Sequence, residues 1–287
     1  MEFVTFHVTL RSGSEAHPNQ TLMHREYMSM IDMMFASARL MDRSARTVVL
    51  TDNNTDFGQC RTPIDAIVRT DVDAGKLMLE RTRSQLRYIE TSAFAAPIVI
   101  LDSDILINAP LQKIFDIDFD VALTWRESKV QPINGGFLIL NNQRPDVSRH
   151  FFQKFCSLYV ERYADQAAWY GDQLALRDCV GLPLKQMRER NLVDVEGCRI
   201  LLLPCDSHNF SPVNRYTEIQ ADWPEKVVLH FKGDRKRLMS PYWHAWLKPR
   251  KSFSPFVHLR ARRERKSLAG LVAAEAQLLA APEQEEA

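Results

Sequence analysis

The sequence predicts an α/β protein in which helices flank a mostly parallel, mixed sheet. Short aliphatic and β-branched runs alternate with longer segments whose apolar residues recur at helical spacing. Several of the short runs are apolar at every position, which is typical of strands covered on both faces. With 287 residues, 45% of them hydrophobic, the chain can build one substantial core. We expect one domain over residues 1–250 and a C-terminal helical tail over residues 251–287.

The predicted elements alternate along the chain. Strands are expected at 3–10, 47–51, 66–68, 98–101, 121–125, 136–140, 200–203 and 227–231. Helices are expected at 23–41, 76–91, 110–115 and 151–163, and a further helix opens at residue 171. Pro110 and Asp172 stand at helix-start positions, where a proline and a carboxylate are each favourable. This succession is typical of a wound sheet with helical connections.

Composition excludes several classes of function. The formal net charge is +1, from 37 basic and 36 acidic residues, so we expect no nucleic-acid partner. The five cysteines are odd in number and show no C-x-x-C spacing, which argues against a zinc knuckle and a disulfide framework. The N-terminal segment resembles a first strand and not an export signal. We therefore expect a cytoplasmic protein, and composition does not fix its oligomeric state.

The predicted tail is basic and amphipathic. Its cationic residues are Arg260, Arg262, Arg263, Arg265 and Lys266, and its apolar stripe is Leu268, Leu271, Val272, Leu278 and Leu279. A helix of this kind binds an anionic membrane surface or a partner, or it is a terminal helix with one solvated face. The sequence leaves these alternatives open, including peripheral contact with the inner face of a membrane.

The most informative segment is Asp102-Ser103-Asp104, which directly follows the apolar run at 98–101. Ligands of open α/β sheets bind in the crevice outside the carboxyl ends of the strands, so two carboxylates at that position face a ligand site. Mg²⁺ and Mn²⁺ prefer oxygen ligands and often bind one or two acidic side chains together with substrate phosphates. Turns are also rich in Asp for ordinary hydrogen-bonding reasons. Later segments decide between the two interpretations.

Two later segments are Asn134-Gly135-Gly136 and the seven residues H-F-K-G-D-R-K that begin at His230. With the acidic pair, they resemble the GT-A glycosyltransferases of family 8, which include glycogenin and bacterial lipopolysaccharide glucosyl- and galactosyltransferases. The family pattern H-F-x-G-x-x-K is matched in full. The Pro-Trp that often follows the family's lysine is replaced by Arg237-Leu238, and glycine stands at 135 in place of Ser or Ala. The resemblance covers residues 1–247 and implies a GT-A, Rossmann-like fold for the domain.

The resemblance implies a metal-dependent, retaining hexosyltransferase that moves a hexose from a UDP-sugar to a glycan, a glycolipid or another hydroxyl acceptor. It implies that Asp102, Asp104 and His230 bind Mn²⁺ or Mg²⁺, and one imidazole among oxygens favours Mn²⁺. Lys236 is expected to contact a phosphate. Electrostatically, a divalent ion and a fixed ammonium neutralise the charge that accumulates on the leaving diphosphate.

Further residues are assigned roles by the same resemblance. The expected donor-binding residues are Thr9, Leu10, Asp52, Arg83, Asp102, Ser103, Asn134, Gly135, Gly136, Gly233 and Lys236. Thr9, Leu10 and Asp52 lie at strand ends where the nucleoside is expected, and Arg83 is favoured among four cations of the helix before residue 98. The glycines allow the backbone to approach a sugar closely. Asp172 is expected to position or stabilise the sugar, and Gln173 is the weaker candidate for a nucleophile or a cation stabiliser.

Two other functions are compatible with parts of the pattern. A haloacid-dehalogenase-like, Mg²⁺-dependent phosphohydrolase also carries Asp-x-Asp after an apolar strand, although there the motif normally opens the domain. A non-catalytic protein that binds a nucleotide sugar would need the same fold and the same cleft. Phosphate release and UDP release separate the first alternative from the glycosyltransferase.

Overall fold

The computed structural model describes residues 1–10, 23–166 and 170–280, with the backbone alone for 278–280. The strands are β1 (Glu2–Phe6), β2 (Arg46–Thr51), β3 (Ala66–Arg69), β4 (Ile98–Leu101), β5 (Ile105–Ile107), β6 (Val121–Trp125), β7 (Ile133–Leu140), β8 (Leu192–Val195), β9 (Cys198–Pro204) and β10 (Val228–His230). The helices are α1 (His24–Met41), α2 (Leu77–Thr91), α3 (Pro145–Tyr163), α4 (Gly171–Val180), α5 (Leu184–Glu189), α6 (Cys205–His208), α7 (Lys236–Tyr242), α8 (Lys248–Arg250) and α9 (Pro255–Ala280).

Within those residues, one eight-stranded sheet runs in the order β3-β2-β1-β4-β7-β6-β9-β8. The pairs from β3 to β4 are parallel, and so is the pair β6-β9. β7 is antiparallel to both of its neighbours, and β8 is antiparallel to β9. This mixed, half-parallel sheet with helices on both faces confirms the predicted fold class.

The strand β4 shows why the predicted strands are apolar throughout. Its side chains alternate between the two faces of the sheet, as the two-residue period of a strand requires. Val99 and Leu101 pack in the cluster that contains α1 and α7, whereas Ile98 and Ile100 pack in the cluster that contains α2, α3 and α4. Both faces are therefore covered, and all four residues are buried.

The short strands β5 and β8 were not predicted, and the pairing of β5 positions the candidate site. β5 follows β4 after a turn and pairs with β10 in a separate two-stranded, antiparallel sheet. The register places His230 opposite Ile105, one residue beyond Asp104. The helix expected at 110–115 is wrong: the chain forms only a 3₁₀ segment, Gln112–Asp116.

The predicted tail forms the helix α9, which packs on the domain through its middle turns. Leu268 is buried, Arg265 lies 4.4 Å over the ring of Trp246, and Glu275 accepts a hydrogen bond of 2.8 Å from the backbone of Tyr216. The stripe residues Leu278 and Leu279 and the end of the tail lie outside the described side chains. None of the described helices has the length and apolar composition needed to cross a bilayer.

Candidate active site

Side chains of three segments meet beyond the carboxyl end of β4. His230 Nε2 lies 3.0 Å from Asp104 Oδ1 and 3.5 Å from Asp102 Oδ2. One ligand atom from each of the three residues lies within 4.8 Å of the others. A cation that binds oxygen and nitrogen at about 2.0–2.2 Å can bridge atoms at these separations. The structure thus brings together the three residues that were expected to bind metal.

Asn209 fixes which nitrogen of His230 faces the carboxylates. The Asn209 side chain donates from Nδ2 to Thr124 Oγ1 at 2.9 Å and to Asn134 Oδ1 at 2.7 Å. Its Oδ1 therefore faces His230 Nδ1, at 2.8 Å, and accepts that hydrogen. A neutral imidazole held in this tautomer presents the lone pair of Nε2 to the carboxylates, as a metal ligand must.

The charges of this cluster fit a bound cation. Burial lowers the pKa of His230, and Lys232 lowers it further, which favours the neutral imidazole. Burial raises the pKa of Asp104, but His230 and Lys236 lower it by more, so this carboxyl ionises below its ordinary pKa. Two carboxylates and an imidazole lone pair then converge on one point, where a divalent ion compensates their mutual repulsion.

Lys236 opens α7 and lies beside the acidic pair. Its Nζ is 3.4 Å from Asp104 Oδ2. Burial lowers the pKa of Lys236, but Asp104, Tyr27 and Asp102 together raise it by more, so the ammonium is held in its charged form. A phosphate next to the cation site would also be next to this ammonium.

Arg81 of α2 takes the position expected for Arg83. Its Nη1 donates to Asp102 Oδ1 at 2.5 Å and its Nη2 donates to Asp172 Oδ2 at 2.6 Å. Arg83 instead pairs with Glu80 of the same helix at 2.9 Å and, in the described part of the chain, does not line the cleft. The basic residue that α2 contributes to the site is therefore two positions earlier than expected.

Asp172 is buried near the start of α4 and is only partly satisfied. Its Oδ2 accepts from Arg81, whereas its Oδ1 and the nearby Tyr159 Oη have no hydrogen-bond partner among the described residues. Burial raises the pKa of Asp172, and the charge of Asp102 adds to this, although Arg81 opposes it. Gln173 Oε1 accepts from Asn134 Nδ2 at 3.3 Å.

Gly136 of β7 lies directly against the side chains of His230 and Asp102. A Cβ there would stand 2.4 Å from His230 Cε1 and 2.7 Å from Asp102 Oδ2. Any residue other than glycine would therefore displace these side chains. A Cβ at Gly135 would stand 3.0 Å from Asp172 Oδ2. The expectation that both glycines permit close approach agrees with these distances, although the neighbours are side chains of the site.

The residues expected at the nucleoside lie at neighbouring strand ends. Thr9 N donates to Thr55 Oγ1 at 2.8 Å, and Asp52 Oδ1 accepts from Thr55 N, also at 2.8 Å. Burial raises the pKa of Asp52, but hydrogen bonds from Thr55 lower it by more. Among described residues, Thr9, Leu10 and Asp52 do not line the cleft around the acidic pair. Ser103 lies in the turn between β4 and β5, and Gly233 lines the cleft with φ of 56°.

One cleft of about 430 Å³ is lined by the acidic pair, His230, Lys236, Arg81 and Asp172. Its charged lining in the described chain consists of Asp102, Asp104, Asp172, Arg81, Arg126, Lys232, Arg235 and Lys236. The volume lies within the range of pockets that hold small molecules. The cleft therefore offers a cation site, fixed ammonium and guanidinium groups, and uncharged hydrogen-bonding groups in one space.

Comparison with known proteins places this arrangement in a known fold. No family model and no curated protein matches the sequence. A solved structure of the galactosyltransferase LgtC, in complex with donor and acceptor sugar analogues, is 15% identical over 94% of this chain and 96% of LgtC, with a TM-score of 0.50. The chain has the fold of a GT-A glycosyltransferase. The glycosyltransferase GlyE of Streptococcus pneumoniae TIGR4 is 16% identical over 93% of this chain and 64% of GlyE, with a TM-score of 0.51.

Several site residues were missed in the sequence. Asn209, Thr124 and Arg126 carry no motif, because each acts through contacts with residues distant in sequence. Arg81 was one of four cations on its helix, and no periodic apolar stripe distinguished them, since α2 also buries Glu80, Thr82, Ser84 and Gln85. Only the contact of Arg81 with two aspartates from other elements identifies it.

Proposed function

We propose that this chain is a metal-dependent, retaining glycosyltransferase that moves a hexose from a UDP-sugar to a hydroxyl group of a saccharide or another acceptor. The convergence of Asp102, Asp104 and His230 beside Lys236 carries the proposal. The fold shared with glycosyltransferases supports it, and it does not favour a phosphohydrolase. Mn²⁺ is the metal we propose, with Mg²⁺ as the alternative, because the ligand set contains one imidazole.

The reaction breaks the bond between the anomeric carbon and the diphosphate oxygen, and the bonding electrons leave with UDP. The oxygen of an acceptor hydroxyl forms the new bond to that carbon, and its proton passes to the departing phosphate. Retention requires the acceptor to arrive on the face from which UDP leaves. A bound divalent cation would supply charge neutralisation for the two phosphates. The Lys236 ammonium contacts the same phosphates and stabilises the leaving group.

Asp172 and Gln173 are proposed to position the donor sugar. Arg81 holds one oxygen of Asp172, so the other, unpartnered oxygen is available to accept a hydrogen bond from a sugar hydroxyl. Gln173 Oε1 already accepts from Arg126 and Asn134 at 3.2 and 3.3 Å, so its lone pairs are engaged. This favours a stabilising role for Gln173 over a nucleophilic one.

The nucleoside is proposed to bind near Thr9, Leu10 and Asp52, beyond the ends of β1 and β2. Ser103, Asn134, Gly135, Gly136 and Gly233 complete the proposed donor site. Asn134 already bonds Gln173, Gly136 and Asn209, so it supports the site as well as facing the cleft.

A donor screen tests the proposal. UDP release from a panel of UDP-hexoses should require Mn²⁺, stop with a chelator, and give a product whose anomeric configuration by NMR equals that of the donor. Phosphate release from p-nitrophenyl phosphate, without UDP release, would support the phosphohydrolase. Tight UDP binding without turnover of any donor or acceptor pair would support the non-catalytic alternative. GDP release from a GDP-sugar would show that the donor nucleotide is GDP and not UDP, and it would leave the rest of the proposal unchanged.

The tail is proposed to contact an anionic membrane surface. Phe253 is fully exposed and Phe256 is 81% exposed, next to Lys251 and the basic first turns of α9. Aromatic rings with cationic neighbours suit the interface of a bilayer with negative headgroups. The full chain should sediment with phosphatidylglycerol vesicles and not with phosphatidylcholine vesicles, and Phe253→Ser with Phe256→Ser should abolish this. Equal sedimentation of the variant would contradict the assignment.

A further inference from the structure

Two cationic residues line the cleft on the side of Gln173. Arg126 directly follows β6, and its guanidinium donates from Nε to the Gln131 carbonyl at 3.0 Å and from Nη2 to Gln131 Oε1 at 2.9 Å and Gln173 Oε1 at 3.2 Å. Lys232 lies two residues beyond β10 and lines the same cleft. The charges of the two residues act on each other, so the cleft holds a second cationic region apart from Arg81 and Lys236.

This second region differs from the first in its partners. Arg81 pairs with Asp102 and Asp172, and Lys236 pairs with Asp104. Among the described residues, no carboxylate lies within ion-pair distance of Arg126 or Lys232, and Arg126 bonds only neutral groups. Two like charges in one cleft, neither of them paired with a carboxylate, repel each other until an anion binds between them.

The charges of the whole cleft indicate where that anion comes from. Five cationic side chains and three carboxylates line the cleft, so the protein contributes two positive charges in excess. A divalent cation and the diphosphate of a nucleotide sugar, which carries two negative charges, compensate each other. The excess of the protein therefore remains after a neutral-sugar donor has bound. It lies with Arg126, Lys232 and Arg235, the cations of the cleft for which the described residues offer no carboxylate within ion-pair distance.

We infer that Arg126 and Lys232 form a subsite for an anionic group, a phosphate or a carboxylate, carried by the acceptor. The inference rests on the proposed function, because an acceptor exists only if the cleft transfers a sugar. Arg126 contacts Gln173, which is proposed to position the donor sugar, so the Arg126 end of the subsite lies beside that sugar. The acceptor would then be a phosphorylated or acidic saccharide rather than a neutral one.

Calorimetry with the full chain tests this subsite. The chain is saturated with Mn²⁺ and UDP, and methyl phosphate and acetate are titrated as probes at low ionic strength. We expect saturable binding of one of the two probes at one site, which identifies the anion as phosphate or carboxylate. Lys232→Gln and Arg126→Gln should each weaken that binding about tenfold, the effect of one charge-assisted hydrogen bond. Lys185→Gln, an exposed lysine of α5, serves as the matched control and should bind the probe as the wild type does.

The outcomes separate this inference from the proposed function. A wild type that fails to bind UDP with Mn²⁺ contradicts the proposed function. A wild type that binds UDP but neither probe, or variants that bind the probe as the wild type does, contradicts the subsite alone. A donor origin of the anion is tested by comparing the affinities of UDP-glucuronate and UDP-glucose. If Lys232→Gln lowers the preference for UDP-glucuronate, the subsite binds the anionic group of the donor sugar, and the acceptor assignment is overturned.

Discussion

Two Asp-x-Asp segments that flank strands of the same sheet have opposite characters. Asp102-Ser103-Asp104 follows the carboxyl end of β4, whereas Asp118-Phe119-Asp120 precedes the amino end of β6. Both place a carboxylate in a buried position, since Asp104 and Asp120 are 7% and 0% exposed. They differ in what surrounds that carboxylate.

The cluster at Asp120 is closed. Arg144 donates to both oxygens of Asp120, at 2.7 Å from Nε to Oδ1, and the backbone N–H of Arg199 donates to Oδ2, also at 2.7 Å. The Arg199 side chain adds contacts with Asp120 and with Asp118. Each acceptor oxygen has a donor, and none of this cluster lines the cleft within the described residues.

The cluster at Asp104 is open. Asp172 keeps an unpartnered oxygen, and the lone pair of His230 Nε2 faces two carboxylates rather than a donor. The pair at the carboxyl end of β4 thus borders the cleft, beside the unpartnered oxygen of Asp172, whereas the pair at the amino end of β6 is enclosed by arginines. In these two segments, the end of the strand at which the pair lies, and not the motif itself, separates the open cluster from the closed one.

The largest expected effect comes from the open cluster. Asp104→Asn should reduce transfer activity by about 10³-fold, because it removes an anionic ligand and the charge partner of Lys236. The free energy of unfolding of this variant should change by much less than the loss of activity corresponds to, because the substitution also removes repulsion between clustered carboxylates. Initial-rate assays and urea unfolding measure the two quantities. A loss of stability large enough to account for the loss of activity would contradict the distinction between the open and the closed cluster.

The matching substitution in the closed cluster should have the opposite profile. Asp120→Asn should destabilise the fold by about 2 kcal/mol, because a buried acceptor loses its charge-assisted hydrogen bonds from Arg144 and Arg199. Folded enzyme should keep a transfer rate near that of the wild type. Urea unfolding gives the first quantity, and rates normalised to the folded fraction give the second.

The pH dependence of stability sharpens this test. Burial raises the pKa of Asp120, but Arg144 and Arg199 lower it by more. Its stabilising contribution is therefore present above about pH 4, the unfolded pKa, and is lost as the pH falls towards the lower folded pKa. Wild type should lose this increment on acidification, and Asp120→Asn should not.

A smaller effect is expected at the residue that orients His230. Asn209→Ala should weaken Mn²⁺ binding about 10- to 100-fold, because the imidazole loses the acceptor that fixes its tautomer. Titration calorimetry measures the affinity, and nitrogen NMR of the labelled imidazole should report a mixture of tautomers. Asn53→Ala, at an exposed loop contact with Asp71, is the control that should leave both unchanged. An unaltered tautomer in Asn209→Ala would exclude the positioning role.

The smallest effect is expected at Arg83. Its ion pair with Glu80 is partly exposed, so Arg83→Gln should change the free energy of unfolding by about 0.5 kcal/mol or less and leave UDP affinity unaltered. Arg81→Gln should weaken UDP-sugar turnover much more, because Arg81 holds Asp102 and Asp172. A larger effect at Arg83 than at Arg81 would restore the sequence-based assignment.

The fold was largely predictable from the sequence, and the site was predictable only where a motif carries it. The apolar runs at β2, β4, β6 and β9 identified the strands because each is covered on both faces. The acidic pair, His230 and Lys236 were found because their spacing is local. The pairing of β5 with β10, which unites them, was not predicted, because β5 has only three residues and leaves no periodic signal.

The remaining site residues depend on long-range contacts. Arg81 and Asp172 are 91 residues apart, and Asn209 contacts His230 across 21 residues and Thr124 across 85. A side chain whose role is to orient another side chain has no sequence pattern of its own. Such residues become visible only when the fold supplies their partners.

Pulsed EPR of Mn²⁺ bound to the full chain with UDP tests the central claim most directly. The account predicts one Mn²⁺ per chain, coupled both to phosphorus of UDP and to a single histidine nitrogen, with the nitrogen coupling lost in His230→Gln. Phosphorus coupling without any histidine nitrogen, or a nitrogen coupling that persists in His230→Gln, would contradict it.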